Sequence, residues 1–186
     1  MDKRFLRAFS DPASLSILGK RVFPFCLKHR VRLMALESPL VTGGTTILPA
    51  DLMMAVKVCA EEGRLDFSWL EQVRIRELEF RPEKFAASVG RFVAHCHVDL
   101  WPKYWDGPKT TGTADGAGMP WPLMILTNLI AEGVDEQRAW EMPEAQAIWL
   151  STAFSTRNGA KVNVLTTEEE DMMEAIRRGE LPPQQS

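Results

Sequence analysis

Apolar residues recur along most of this chain at helical spacing. In "RPEKFAASVGRFVAHCHVDLW", Phe85, Val89, Phe92, Val93, Cys96 and Leu100 lie four, three, one, three and four residues apart. That rhythm predicts an amphipathic helix of about five turns. "FPFCLKHRVRLMALES" opens with Pro24, suited to a first helical turn, and ends before Pro39, which predicts a helix over about 24–37. Its apolar positions cover most of the circumference, so it should pack on more than one side. "ADLMMAVKVCAEEG" predicts a buried helix from Asp51 to Glu62, stopped by a left-handed cap at Gly63. In "FSWLEQVRIRELEF", Ser68 and Glu71 stand at capping-box spacing and predict a helix. The alternation of Val73 and Ile75 with charges keeps a strand over 72–80 open.

Glycine and proline punctuate the pattern. "SPLVTGGTTILP" is a connection bracketed by Pro39 and Pro49. Residues 102–122 hold four Pro and four Gly with no periodicity and predict a long surface loop. Beyond it, "LMILTNLIAEG" is a short helix closed at Gly133, and Asp135 is placed to cap "EQRAW". Pro143 ends that segment, having no N–H to donate, and is welcome in the first turn of the next, "PEAQAIWLSTAFSTRNG". Met142-Pro143 is thus a corner between two helices, where Trp140 and Trp149 each have a large ring to bury. "AKVNVL" reads as a short extended segment. "TTEEEDMMEAIRRGE" reads as a helix with Thr167 and Glu170 as its capping box, acids over its first turn and Arg177 and Arg178 over its last. The expected architecture is all-α: helical subdomains over 1–101 and 123–180, a Gly/Pro-rich loop at 102–122, and a frayed tail at 181–186.

Composition adds limits. With 186 residues, 45% of them hydrophobic, the chain can bury a substantial core. Its formal charge of −3 gives no reason to bind a polyanion. Residues 1–32 carry eight Lys/Arg against two acids, whereas residues 132–180 carry eleven acids against five Lys/Arg. Such polarity can join the two ends within one molecule or head to tail between copies in a homo-oligomer. "PWPLMILTNLIA" is too short to span a bilayer, and "MDKRFLRAF" lacks the apolar core of a signal peptide, so a cytoplasmic protein is expected. Cys26, Cys59 and Cys96 read as reduced core thiols.

Candidate chemistry is sparse. Cys26, His29, His95 and His97 are conceivable zinc ligands, but His95 and His97 stand about 200° apart on one helix and cannot face the same ion. His95 shares a polar face with Arg91 and Asp99, which predicts a solvated or ion-paired ring; His29, between Phe25 and Leu33, reads as a histidine at the core edge. No nucleophile elbow, activated cysteine or phosphate loop is present, and capping explains the acidic run at 168–171. Lys20, Arg21, Lys28, Arg30 and Arg32 do not make one basic face, so no nucleic acid is expected. The chain is therefore read as no enzyme, with no catalytic residue, metal or cofactor. What remains is Tyr104, Trp105, Met119 and Trp121 in the loop, with Trp140, Met142 and Trp149 at the corner. These either recognise a protein partner or pin their segments to the core.

The stretch "GVDEQRAWEMPEAQAIWLSTAFSTRNGAKVNVLTTEEEDMMEAI" resembles the tail assembly chaperones of tailed bacteriophages and prophages. These are small, mostly helical proteins with a short helix, a Met-Pro corner, a longer helix and an acidic terminal helix. The residues that carry the likeness are Ala139, Met142 and Pro143 at the corner, Ala145 and Ala147 after it, and Gly159 at the following turn. It is specific over 133–178 and extends in layout over 15–178. The resemblance implies a non-enzymatic chaperone that binds a long helical tape-measure protein and keeps it soluble until tail-tube subunits polymerise around it. The alternative is a structural component or adaptor of the neck or tail.

Overall fold

Seven of the eleven residues of Pro49–Cys59 are buried, so this helix lies at the middle of the fold with neighbours on every side. The computed structural model describes residues 2–10, 15–44, 46–105 and 119–179 and places ten α-helices among them. The chain is mainly α. In order, the helices are α1 (Lys3–Ala8), α2 (Leu27–Ala35), α3 (Pro39–Thr42), α4 (Pro49–Cys59), α5 (Trp69–Phe80), α6 (Pro82–His95), α7 (Trp121–Ala131), α8 (Glu136–Glu141), α9 (Glu144–Arg157) and α10 (Thr167–Arg177). Two short antiparallel pairs, β1 (Leu15–Ile17) with β2 (Lys20–Val22) and β3 (Lys103–Tyr104) with β4 (Val164–Leu165), add to this helical framework. The extended reading of "AKVNVL" survives as β4.

The first core forms around α4. Leu52, Ala55, Val56, Val58 and Cys59 pack with Leu33 of α2, Leu78 of α5, Phe92 of α6, and Ile17 and Val22 of the hairpin. Leu18 and Gly19 both have positive φ, 51° and 74°, the geometry that closes a two-residue hairpin with the right twist. A Cβ on Gly19 would meet the Arg74 guanidinium at 2.8 Å, and that guanidinium donates to the Leu18 carbonyl. The hairpin was not foreseen because its strands are three residues each, too short to show a period.

Several boundaries differ from expectation for identifiable reasons. Pro24 stays outside α2, whose first residue is Leu27. Pro39, expected to lie in a connection, starts α3. The helix α4 ends at Cys59, and Glu61 rather than Gly63 takes the left-handed backbone, with φ 55°. Lys28 holds the Glu61 carboxylate at 2.9 Å, which ties that turn to α2. Residues 72–80 are helical, so the strand alternative is excluded. The helix α6 stops at His95 because His97 adopts φ 50°, and Leu100 joins the core from a separate 3₁₀ turn. Val93 lies exposed beside the buried stripe.

The cap of α5 is as expected. Ser68 Oγ accepts from the Glu71 N–H at 3.4 Å, and the Glu71 carboxylate accepts from the Ser68 N–H at 2.7 Å. Ser68→Ala should lower stability by about 1 kcal/mol, read as a shifted urea midpoint with an unchanged slope. A shift indistinguishable from zero would show that Glu71 alone holds the helix start.

A second core packs Leu126 and Leu129 of α7, Ala139 and Met142 of α8 and its exit, and Ala147 of α9 around Leu27 of α2. The Met142-Pro143 corner serves this contact. Asp135 caps α8 by accepting from the Arg138 N–H at 3.0 Å, and the Glu144 N–H donates to the Phe25 carbonyl at 2.8 Å. Cys26 and Pro143 form an isolated antiparallel bridge at the same place. A third, smaller cluster joins Ala8, Leu100 and Ala145.

The basic and acidic ends meet within the molecule. Arg4 donates to Asp2, to Glu170 at 3.2 Å and to the Leu165 carbonyl. The capping box of α10 uses Thr166 and Glu169, one residue earlier than expected. That register frees Glu170 to pair with Arg4 and Lys103. Of the loop expected over 102–122, Lys103 and Tyr104 form β3 and Trp121 begins α7, while residues 106–118 lie outside the described residues.

Candidate functional site

Seven residues carried the recognition reading, and the fold separates them. Trp121 is half-buried against Trp101, with ring centroids 5.4 Å apart, and the Arg30 guanidinium lies 5.6 Å from its ring. Trp140 packs on the second core and Met142 is buried within it. Trp149 donates its indole N–H to the Leu100 carbonyl at 2.9 Å and meets Phe5 edge-on at 5.6 Å. These four rings and chains are occupied by intramolecular packing. Tyr104, Trp105 and Met119 are exposed, Trp105 by 52%. The Tyr104 hydroxyl shares a hydrogen bond of 2.7 Å with Thr152 on α9, and the Trp105 backbone N–H donates to Asn163 at 3.0 Å, so their backbones are fixed while most of the rings face outward.

Two apolar faces escaped the sequence reading. The helix α7 contains no charged residue, and while Leu126 and Leu129 face the core, Leu123, Met124 and Ile130 face outward, Met124 by 44%. The signal was present: a helix with no charge, and only Thr127 and Asn128 as polar positions, has more apolar surface than one buried face needs. On α5, Trp69, Val73 and Phe80 form an outward stripe, with Trp69 exposed by 71% and Phe80 by 84%. Their spacing of four and seven was legible, but the charges interleaved with them masked a continuous stripe.

The interior holds the charged chemistry. Arg30 grips Glu144 with two hydrogen bonds of 2.7 and 2.6 Å, both side chains buried. Its guanidinium also lies over Phe25 at 4.9 Å and Trp101 at 5.4 Å. Burial lifts the Glu144 carboxyl above its usual range, and Arg30 opposes that lift. A second network joins Lys20, Lys57, Glu62 and Glu71. Burial alone would raise Glu71, but hydrogen bonds from Lys20, Ser68 and Lys57 outweigh it and hold the carboxyl down to about 2. These are structural arrangements, since every charge has a partner in the protein.

The histidines and cysteines sit beside this interior. Contrary to the expected solvated position, His95 is buried, its ring 6.3 Å from both Phe25 and Phe92. His29 is buried as well, and its Nδ1 lies 3.4 Å from Cys26 Sγ. Burial and the neighbouring His97 lower His95 to about 4, so it is neutral at pH 7. Burial pushes the Cys96 thiol up to about 12 and raises Cys26 and Cys59, which keeps all three thiols protonated and poorly nucleophilic. Among the described residues, no group of three or more His, Cys, Asp or Glu is placed to share a metal ion, and no helix is long and apolar enough to cross a membrane. The described surface thus carries two outward apolar groups, one on α7 and one on α5. No family model, curated protein or solved structure matches the chain.

Proposed function

We propose that this protein is a non-enzymatic assembly factor that binds another protein through the outer face of α7, with Tyr104, Trp105 and Met119 beside it. The observation that carries this reading is a helix without a single charge on which Leu123, Met124 and Ile130 stay more than a third exposed. Exposed apolar residues grouped on one helix mark an interaction site, because each such face costs solvation free energy until it is covered. The α5 stripe offers a second apolar surface from the N-terminal half, and two such surfaces suit a long helical partner presenting i, i+3, i+4 and i+7 anchors. The resemblance over 133–178 specifies the partner as a tape-measure protein of a tailed phage or prophage, chaperoned in the host cytoplasm. In this reading the helical halves over 1–101 and 123–180 each contribute one binding face.

The test is affinity purification of the tagged protein from its producing cells, beside Met124→Asp and Ile130→Asp variants. Both positions are exposed, so the variants should unfold within about 0.5 kcal/mol of wild type. A single very long, helix-rich chain should co-purify with wild type and be lost from the variants. Retention by both variants, or recovery only of nucleic acid, would overturn the reading. Persistence of the protein in purified particles would favour the structural virion component instead.

A further inference from the structure

A cavity of about 420 Å³ opens where α1, α6, α9 and the segment before α2 meet, and Arg7, Arg91, His95, His97 and Glu144 all line it. We infer that it binds a small organic carboxylate with an apolar body. The volume falls within the range that encloses one small molecule. Its remaining walls include Leu15, Phe25, Ala94 and Leu100, which suit a hydrocarbon portion better than a fully hydrated anion.

Charge sets the other half of the ligand. Among the described residues, Glu144 is the one carboxylate in the lining, and both of its oxygens are held by Arg30. Arg7 has a single exposed contact, to Asp99 at 3.4 Å. Among the described residues, Arg91 has no carboxylate within ion-pair distance, although it sits one helical turn before His95 on the same face. A guanidinium with an open fork at an apolar cavity matches a carboxylate bidentately. His97, turned into the lining by its left-handed backbone, and His95 stand with ring centroids 6.2 Å apart. His95 Nε2 is fully enclosed, so the polar contacts open to the cavity come from Arg7, Arg91 and His97. The site is separate from the α7 face, so failure of protein capture leaves it standing, and its own failure leaves the assembly reading untouched.

The chain has three histidines, so imidazole resonances report the site directly. Benzoate titrated into the whole protein at pH 7 should shift His95 and His97, with a dissociation constant of about 1 mM or tighter. Benzyl alcohol, the uncharged counterpart, should bind at least about tenfold more weakly, and inorganic phosphate should compete poorly. Arg91→Gln, an exposed substitution, should weaken benzoate about tenfold without changing benzyl alcohol, while Arg64→Gln, outside the cavity, should change neither. The proposal is overturned if no histidine resonance moves, if benzoate and benzyl alcohol bind alike, if phosphate binds as tightly as benzoate, or if Arg91→Gln leaves benzoate binding unchanged.

Discussion

Replacing Arg30 with methionine should lower the unfolding free energy by about 3–5 kcal/mol, the largest effect expected of any single substitution considered. Methionine keeps much of the apolar stem but leaves Glu144, 1% exposed, as a carboxyl with neither hydrogen-bond donor nor opposing charge. The guanidinium also sits among Phe25, Trp101 and Trp121, so its loss removes the cation from an aromatic surround. Arg30→Lys should rescue little, since an ammonium cannot make the paired fork contacts. The double variant Arg30→Met, Glu144→Met should recover most of the loss, because the main penalty is the stranded charge rather than the absent bond. Urea unfolding of wild type, both single variants and the double variant closes the cycle. A loss below about 1 kcal/mol for Arg30→Met would mean that water reaches Glu144 in solution.

The position of this pair explains how much of the molecule was legible beforehand. Ser68 and Glu71, Asp135, and the Met142-Pro143 corner were readable because capping and proline effects act over one helical turn. The partner of Arg30 was not, because Glu144 lies 114 residues away and nothing local in "LKHRVRL" distinguishes a buried arginine from a solvated one. The same limit applies to His95. Its helical phase beside Arg91 and Asp99 predicts an exposed ring, but Phe25, distant in sequence, packs against it, and the break at His97 with φ 50° takes Asp99 out of that phase. The one-residue error at the start of α10 has a related cause: Thr166 and Thr167 are equivalent as caps locally, and the reach of Glu170 to Arg4 favours the first.

The candidate binding surface followed the opposite logic. Of the two roles open to the aromatic residues flanking a proline or glycine, Trp121, Trp140 and Trp149 pack into the fold at the places where chain direction changes. A large ring covers much area with few rotatable bonds, which makes it as useful at a helix corner as at an interface. Leu123, Met124 and Ile130 are individually ordinary. Their meaning comes from sharing, with Thr127, the outward side of a helix that carries no charge.

Acidification should destabilise the protein in two successive steps, the first set by His95. Burial, the adjacent His97 and His29 lower this ring to about 4, from an ordinary value of 6.5, against the opposing hydrogen bond to the Phe23 backbone. A lowered folded-state value means that the unfolded chain binds the proton first. The associated stability is therefore complete above pH 6.5 and is lost as pH falls through about 4. The difference corresponds to about 3 kcal/mol. His29 and His97, also lowered chiefly by burial, act in the same direction. Glu71 governs the second step: its folded value of about 2 lies below its ordinary 4.5, so its contribution is present above 4.5 and lost on approach to pH 2. Urea midpoints measured from pH 8 to pH 4 should begin to fall near 6.5, and His95→Phe, which removes the titrating group while filling its site, should flatten most of that fall. The imidazole resonances of the folded protein supply the independent check, with His95 still neutral at pH 5. A wild-type midpoint constant from pH 7 to pH 5, or a His95 signal titrating near 6.5, would show that the ring is not held in this wall in solution.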